Sequence, residues 1–504
     1  MQTIETNETM AATSGDHGNW RELLQPRYGA TTIMLCIGVA LYAFNNFLVS
    51  TSLPTAVEEL GGARLISWSL SLFLASSIVA GAAAPLIKRR FGARFALIGT
   101  AFVFLAGTLL AAGAHDMTTV LVGRVLQGVG DGVVVAISYT LIPEMFPSRL
   151  VPKVFGAEAM VWGVAAFGGP AVAGYLTEFH SWRAAFYVNV PIVAIFILLA
   201  LIIVPKHIGD TERGRFPAMR LSLLLASLLI AMSAGLSPSL SISFVALFAS
   251  AAVLAAAVRL DRKASFSLMP KGAFSLRSTL GLGLWVVLLM PVAQATSGVY
   301  LIFALQHLWG LSPFVAGSLS AVMAISWSGS AILVANLKST HWQQTAIWLG
   351  PLLHAAGFFS LFAGVATGTL GLIIPGQILT GSAFGVSWAF LSQTLMEATP
   401  KMERDKTSAL LPTLQSAGFA FGGAFAGLAA NAAGLGDSVT AKAVHLPLTV
   451  TFLCAALMAI PGIFAARRAV RASTISHIAR QHRSNSVTAL STRLHRDIGL
   501  PEDI

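Results

Sequence analysis

Apolar runs about as long as a bilayer-spanning helix alternate with short polar or Gly/Pro-rich breaks from residue 30 to residue 466. A helix on each run predicts fourteen spans, the first six at 30–54, 67–87, 95–114, 118–142, 155–176 and 184–204. A short pair follows at 221–236 and 241–258, joined by the uncharged Ser237-Pro238-Ser239 break. The last six lie at 279–305, 314–335, 345–364, 369–395, 408–430 and 447–466. With both termini cytoplasmic, the inner segments hold 28 of the 32 Lys and Arg residues. The outer loops hold only Arg64, Arg183 and Lys442, and Arg124 lies inside a span. This is the positive-inside distribution, and deleting one span would invert every later loop. The pattern predicts an all-α polytopic membrane protein with an even number of spans.

Composition narrows the class. The chain is 55% hydrophobic and only 11% charged, whereas a soluble domain carries about 25% charged residues. A soluble enzyme, a disordered chain and a secreted disulfide scaffold are thereby excluded. Cys36 and Cys454 both sit inside apolar runs, so a structural disulfide is not expected. The net charge of +11 is spread over inner loops and tails, which argues against nucleic acid as a partner. The chain divides into an N-terminal cytoplasmic tail (1–29), a first six-helix segment (30–204) and a linker with two inserted helices (205–278). A second six-helix segment (279–466) and a basic tail (467–504) complete it. Membrane lipids are the tail's natural partner if it binds anything.

An internal repeat supports the pairing of the two six-helix segments. At an offset of 253, Gly123, Leu126, Gly128, Gly132, Val133, Ala136, Glu144 and Pro147 face Gly376, Leu379, Gly381, Gly385, Val386, Ala389, Glu397 and Pro400. One residue out of that register, at an offset of 254, Phe167-Gly168-Gly169 matches Phe421-Gly422-Gly423. A parallel duplication of this kind is found in one large class of secondary transporters, with the substrate site between the halves. The repeat also breaks informatively, because Arg124 faces Gln377 and Asp131 faces Phe384.

These motifs resemble the major facilitator superfamily, and within it the fourteen-span drug:proton antiporters. The likeness rests on Trp182-Arg183 leading to Phe186-Tyr187-Val188-Asn189-Val190-Pro191, and on Tyr300 to Gln306 followed by Gly310, Ser312-Pro313 and Gly317. Arg124 with Gln127-Gly128 is similar to the family's span-four arginine motif, and Gly169-Pro170 with Gly174 to its span-five antiporter motif. The resemblance implies a major facilitator fold, two six-helix halves in parallel pseudo-repeat plus two inserted helices. It further implies proton-coupled efflux of amphipathic or cationic drugs by alternating access, from a bacterial inner membrane, without a cofactor and with one chain sufficient. Two positions depart from the pattern. Asn45 stands where the family has a span-one aspartate, nine residues before Pro54. In Lys88-Arg89-Arg90-Phe91-Gly92, Arg89 replaces an acidic residue, and Pro85 replaces the first glycine.

The residues able to carry transport chemistry are few. Arg124, Gln127, Gly128 and Asp131 share one helix face. A charge near the bilayer centre costs at least about 2.5–3.5 kcal/mol, so such residues face a partner or a cavity. Asp131 and Glu158 are the candidate proton-coupling acids, with Arg124 as modulator. A static ion pair for Asp131 and a snorkelling role for Glu158 are the plain alternatives. Asn45, Asn46, Gln127, Gln294, Tyr300, Gln306, Gln377 and Trp388 are candidate substrate contacts, each equally able to serve in helix packing. Arg89, Arg90, Gly92, Gly169, Pro170 and Gly174 are the conformational candidates; the stripe Ala166, Pro170 and Gly174 predicts close helix approach. Glu144 and Glu397 are expected in salt bridges that rearrange, and His354 is expected to be a packed neutral histidine. The missing span-one acid leaves two other readings open: a carrier for a specific metabolite or lipid, and a membrane sensor or scaffold.

Overall fold

A computed structural model describes residues 19–61, 66–206, 217–236, 239–264, 267–311, 313–435 and 440–498. The readings at Arg64, Ser237, Pro238 and Ser312 fall outside the described residues. So do residues 1–18 of the N-terminal tail and the last six of the C-terminal one.

The described chain is helical throughout. One turn at Trp20–Leu23 leads into α1 (Pro26–Leu60), α2 (Ile66–Ala112), α3 (Met117–Met145), α4 (Val151–Phe179), α5 (Trp182–Tyr187) and α6 (Asn189–Ile203). The linker contains α7 (Ala218–Leu236) and α8 (Leu240–Arg262). The remainder forms α9 (Thr279–Trp309), α10 (Pro313–Val334), α11 (Thr340–Thr367), α12 (Ile373–Ala398), α13 (Arg404–Ala432) and α14 (Ala441–Ile498). Among the described residues ten helices are long and apolar enough to cross a membrane. Polar residues inside them are accommodated locally. Ser52, Thr108, Ser138 and Thr413 each donate to the carbonyl four residues earlier, at 2.8–2.9 Å, so these four hydroxyls are paired within their own helices.

Two predicted spans, 67–87 and 95–114, share the single helical segment α2, which turns at Gly92 instead of opening into a loop. Gly92 has φ 76° and ψ 156°, a backbone region that a Cβ makes costly. The reversal is visible in what α3 meets. A Cβ at Gly128 or Gly132 would strike Ser76 and Phe73 or Ser77, so α3 runs parallel to the first part of α2. At Gly123 and Gly130 it would strike Gly107 and Ala111 or Thr100 and Phe104, so α3 runs antiparallel to the second part.

The repeat-related helix α12 sits in the same setting. Gly381 and Gly385 are closed by Met323 and Ser326 or Trp327 and Ser330 of the parallel α10, and Gly376 by Gly357 and Leu361 of the antiparallel α11. Glycines matched by the sequence offset therefore seat α3 and α12 equivalently. Along the seam between the α1–α6 and α9–α14 segments, α2 and α3 pack on α13, and α4 packs on α10 and α12. The inserted helix α7 rests on α2 and α13.

The small-residue stripe on α4 is only partly used for close approach. Gly169 lies against Phe47 of α1, but nothing stands within 4 Å of where a Gly174 Cβ would be. That part of the expectation is corrected: the stripe is smooth, and its Gly174 end is unopposed. On α13, Gly418 and Gly422 do meet the α9 backbone at Leu288 and Val292, whereas Gly423 meets nothing.

Candidate functional site

The interior of α1–α6 holds a connected polar network. Arg124 is 1% exposed. Its Nη1 donates to Gln127 Oε1 at 2.8 Å and its Nε to the Ser69 carbonyl at 3.4 Å. The guanidinium also lies 4.0 Å from the centre of the Phe73 ring, a cation–π contact strengthened by the loss of water. Gln127 Nε2 donates to Thr108 Oγ1 at 2.9 Å and to Asn45 Oδ1 at 3.3 Å. Asn189 Nδ2 reaches the same Asn45 oxygen at 3.5 Å. The family-motif residues on α1, α3 and α6 thus meet at one point, with Asn45 as an acceptor where a carboxylate was expected.

Asp131 does not close this network. Its carboxyl is buried, and neither oxygen has a hydrogen-bond partner among the described residues. Two helical turns separate it from Arg124, about 10 Å of rise, and no direct bridge forms between them. Glu158 on α4 is in the same condition: 3% exposed, with both oxygens unpartnered. Its burial rules out the snorkelling role.

Aromatic rings run between the segments from the Arg124 network. Phe73 stacks on Tyr42 (6.0 Å between centroids), Tyr42 meets Trp162 edge-on (5.7 Å), and Trp162 lies nearly parallel to Trp327 (6.4 Å). Trp327 stacks on Phe384 at 4.7 Å, and Phe384 meets His354 edge-on at 5.4 Å. Two small chambers flank the middle of this run. One, of about 30 Å³, is lined by Tyr42, Ser77, Gly132, Trp162, Gln415 and Ser416 among others. The other, of about 20 Å³, is lined by Tyr139, Phe155, Glu158, Trp162, Trp327 and Trp388 among others. Each holds about one or two waters, so the centre is shut around its acid.

The remaining candidates are placed as follows. Asn46 lies beside Tyr42. Gln294 Oε1 is 3.2 Å from His354 Nε2, so this amide is occupied by the packed histidine. Gln377 is buried, with Thr380 donating to its backbone carbonyl at 3.1 Å and its own Nε2 unpartnered. Tyr300 packs on an apolar cluster with Leu301, Leu305 and Phe452. Tyr300 and Gln306 line neither chamber. Pro170 lies within α4.

The end of the molecule bearing Gly92 is held shut across the seam. Lys88 Nζ lies 2.6 Å from Glu144 Oε1 on α3 and 2.9 Å from Asp405 Oδ2 on α13. Lys153 on α4 donates to the Ala335 carbonyl at 3.0 Å, and Gln393 on α12 to the Ser148 carbonyl at 3.3 Å. Glu144 is therefore in a salt bridge as expected, and Glu397 accepts from Gln393 at 2.9 Å. Arg89 and Gly92 line a neighbouring cavity of about 1540 Å³, and Arg90 stacks on Phe91 at 5.6 Å. Sequence reasoning missed Lys88 as the latch, and Trp162 and Trp327 as the rings meeting at the seam. A signal existed for the tryptophans: both stand mid-span, away from the interfacial belts where this residue concentrates.

The Major Facilitator Superfamily family model matches residues 35–423. The chain belongs to this superfamily. A Mycobacterium tuberculosis protein named "Probable multidrug-efflux transporter" is 30% identical over 460 residues, 88% of this chain and 96% of its own. The multidrug transporter protein MdtP of Bacillus subtilis is 24% identical over 416 residues, 81% of this chain and 76% of its own. Among solved structures, the human organic anion transporter MFSD10 superposes with a TM-score of 0.63 at 14% identity, over 86% of this chain and 99% of that one. The proton:xylose symporter XylE gives 0.58 at 16% identity, over 85% and 94%. The structural likenesses establish the fold, and the chain is a multi-pass membrane transporter rather than an enzyme.

Proposed function

We propose that this superfamily member is a proton-coupled exporter of amphipathic or cationic compounds, working by alternating access in a bacterial inner membrane with both termini cytoplasmic. In this reading fourteen spans form two six-helix halves and an inserted pair, and the end bearing Gly92 is the cytoplasmic one. The observation that carries the reading is the pair of buried carboxyls, Asp131 and Glu158, whose oxygens have no hydrogen-bond partner among the described residues. A static packing role leaves such groups costly, whereas proton exchange requires an acid free of a permanent counterion. The multidrug names of the relatives support the substrate class, and the Lys88–Asp405 bridge supports a state closed on the cytoplasmic side. In this reading the proton is the coupling species and one chain is sufficient.

The test is proton movement in proteoliposomes under an imposed pH gradient. Adding a lipophilic cation is expected to dissipate the gradient with the wild type, and Asp131→Asn is expected to abolish that response. Cation flux that persists without proton movement in the wild type would replace the antiporter by an uncoupled carrier. No response to any cation would favour a carrier for a specific metabolite.

A further inference from the structure

Glu158 stands in surroundings unlike those of Asp131. Asp131 lines neither chamber and shares its helix face with Arg124. Glu158 opens into a chamber whose other walls include five aromatic rings: Tyr139, Phe155, Trp162, Trp327 and Trp388. Among the described residues no Lys, Arg or His lines that chamber. Tyr139 on α3, one of the walls, and Cys36 on α1 are the titratable side chains within electrostatic reach of Glu158 among the described residues. The acid is thus enclosed by ring faces and edges with no cation to pair with.

We infer that Glu158 and these five rings form the binding cage for a lipophilic organic cation, and that cation and proton compete for the one carboxylate. Rings offer their negative faces to a diffuse positive charge, and the attraction is largest where water is excluded. A carboxylate among them supplies the counter-charge that a strongly hydrated ion would not repay, so the cage selects quaternary ammonium and phosphonium ions over Na⁺ or Lys-like amines. The cage is also built across the seam. Glu158, Phe155 and Trp162 come from α4 and Tyr139 from α3, while Trp327 comes from α10 and Trp388 from α12. Parting the segments removes two of the rings, so a cation held by all five is released as the cage divides. The present chamber of about 20 Å³ is the collapsed form and must widen to admit a ligand.

This inference rests on the export reading above and assigns its substrate contact to Glu158 and its second proton-linked step to Asp131. The test is equilibrium binding of tetraphenylphosphonium to the purified full chain in detergent. Wild type is expected to bind, with affinity falling as pH is lowered because the protonated acid no longer attracts the cation. Glu158→Gln is expected to weaken binding by about a hundredfold or more, as for other buried charge pairs broken on one side. Trp388→Ala is expected to weaken it about thirtyfold, with Trp388→Phe restoring most of the loss. Asp131→Asn is expected to bind normally while failing to transport. Size-exclusion profiles like the wild type's are required of each variant, and Glu158→Asp provides a second, charge-conserving check, expected to keep measurable binding. Undiminished binding in a folded Glu158→Gln would overturn the cage, and the export reading would survive if wild-type vesicles still exchange protons for cations. Absence of any such exchange in wild-type vesicles would instead defeat the export reading itself.

Discussion

Helices α3 and α12 are seated alike and filled differently. Gly123, Gly128 and Gly132 on one, and Gly376, Gly381 and Gly385 on the other, admit the backbones of a parallel and an antiparallel neighbour in the same order. Where α3 carries Arg124 and Asp131, α12 carries Gln377 and Phe384. On α12 the ring of Phe384 continues the aromatic run to His354, whereas on α3 the equivalent position is a carboxyl with no hydrogen bond. The scaffold is therefore shared, and the charge is confined to one side.

The largest expected effects come from exchanging those two positions. Phe384→Asp would place a carboxylate among rings, beside the neutral packed His354, at a cost of about 3–5 kcal/mol in stability. Its thermal unfolding in detergent should drop sharply. Asp131→Leu should do the reverse, because a buried acid without a partner gains nothing for the fold. Its melting temperature is expected to match or exceed the wild type's while proton-coupled transport is lost. Equal destabilisation by both would mean that Asp131 is a structural group, and the contrast between the helices would fail.

A smaller pair of effects tests what the helices share. A Cβ at Gly128 would meet the Phe73 carbonyl, and one at Gly381 the Met323 carbonyl. Backbone oxygens cannot swing aside, so Gly128→Ala and Gly381→Ala are each expected to destabilise by about 1–3 kcal/mol. Similar losses, measured side by side by thermal unfolding, would confirm the equivalence of the seats. A loss at only one would show that the repeat in sequence is not a repeat in packing.

Much of this was legible in the chain, and the illegible part has a physical reason. Span positions follow from apolar run length, and the glycine offset revealed α3 and α12 because close backbone approach demands the same small residue at both. The meeting of Arg124, Gln127 and Asn45 was half visible: two share a helix face, but Asn45 comes from 82 residues away through the packing of α1 on α3. The seam was not visible. Which of four basic residues at 88–94 becomes the latch depends on where α13 begins, and the pairing of Trp162 with Trp327 depends on α4 crossing α10. Run length and periodicity carry no information about partners on distant helices. Tyr300 illustrates the same limit, since its motif is recognisable but its packing on the cluster of Leu301, Leu305 and Phe452 depends on a distant helix, α14.

The smallest effects compare the two ends of the molecule. At the Gly92 end, Lys88 joins α2 to both α3 and α13, and its bridge to Asp405, unlike that to Glu144, exists only while the segments are together. At the other end, Glu59 Oε1 accepts from Arg183 at 2.7 Å and its Oε2 from Trp182 Nε1 at 2.7 Å, all within α1 and α5. Lys88→Ala should therefore shift the balance of states, by about fivefold if the partly exposed bridge is worth ~1 kcal/mol. Cysteine labelling from the Gly92 side would report the shift, and the charge exchange Lys88→Asp with Asp405→Lys should reverse part of it. Glu59→Gln should leave that balance alone. The Arg183 hydrogen bond, then that of Trp182, holds the Glu59 carboxyl below the ordinary glutamate range. A lowered folded value means its small stabilisation is complete above the unfolded value of about 4.3 and fades as pH falls through the folded one. Wild type and Glu59→Gln should then differ slightly in melting temperature at neutral pH and converge in acid. Convergence on raising the pH instead would mean that this bridge, unlike the latch at the other end, contributes nothing.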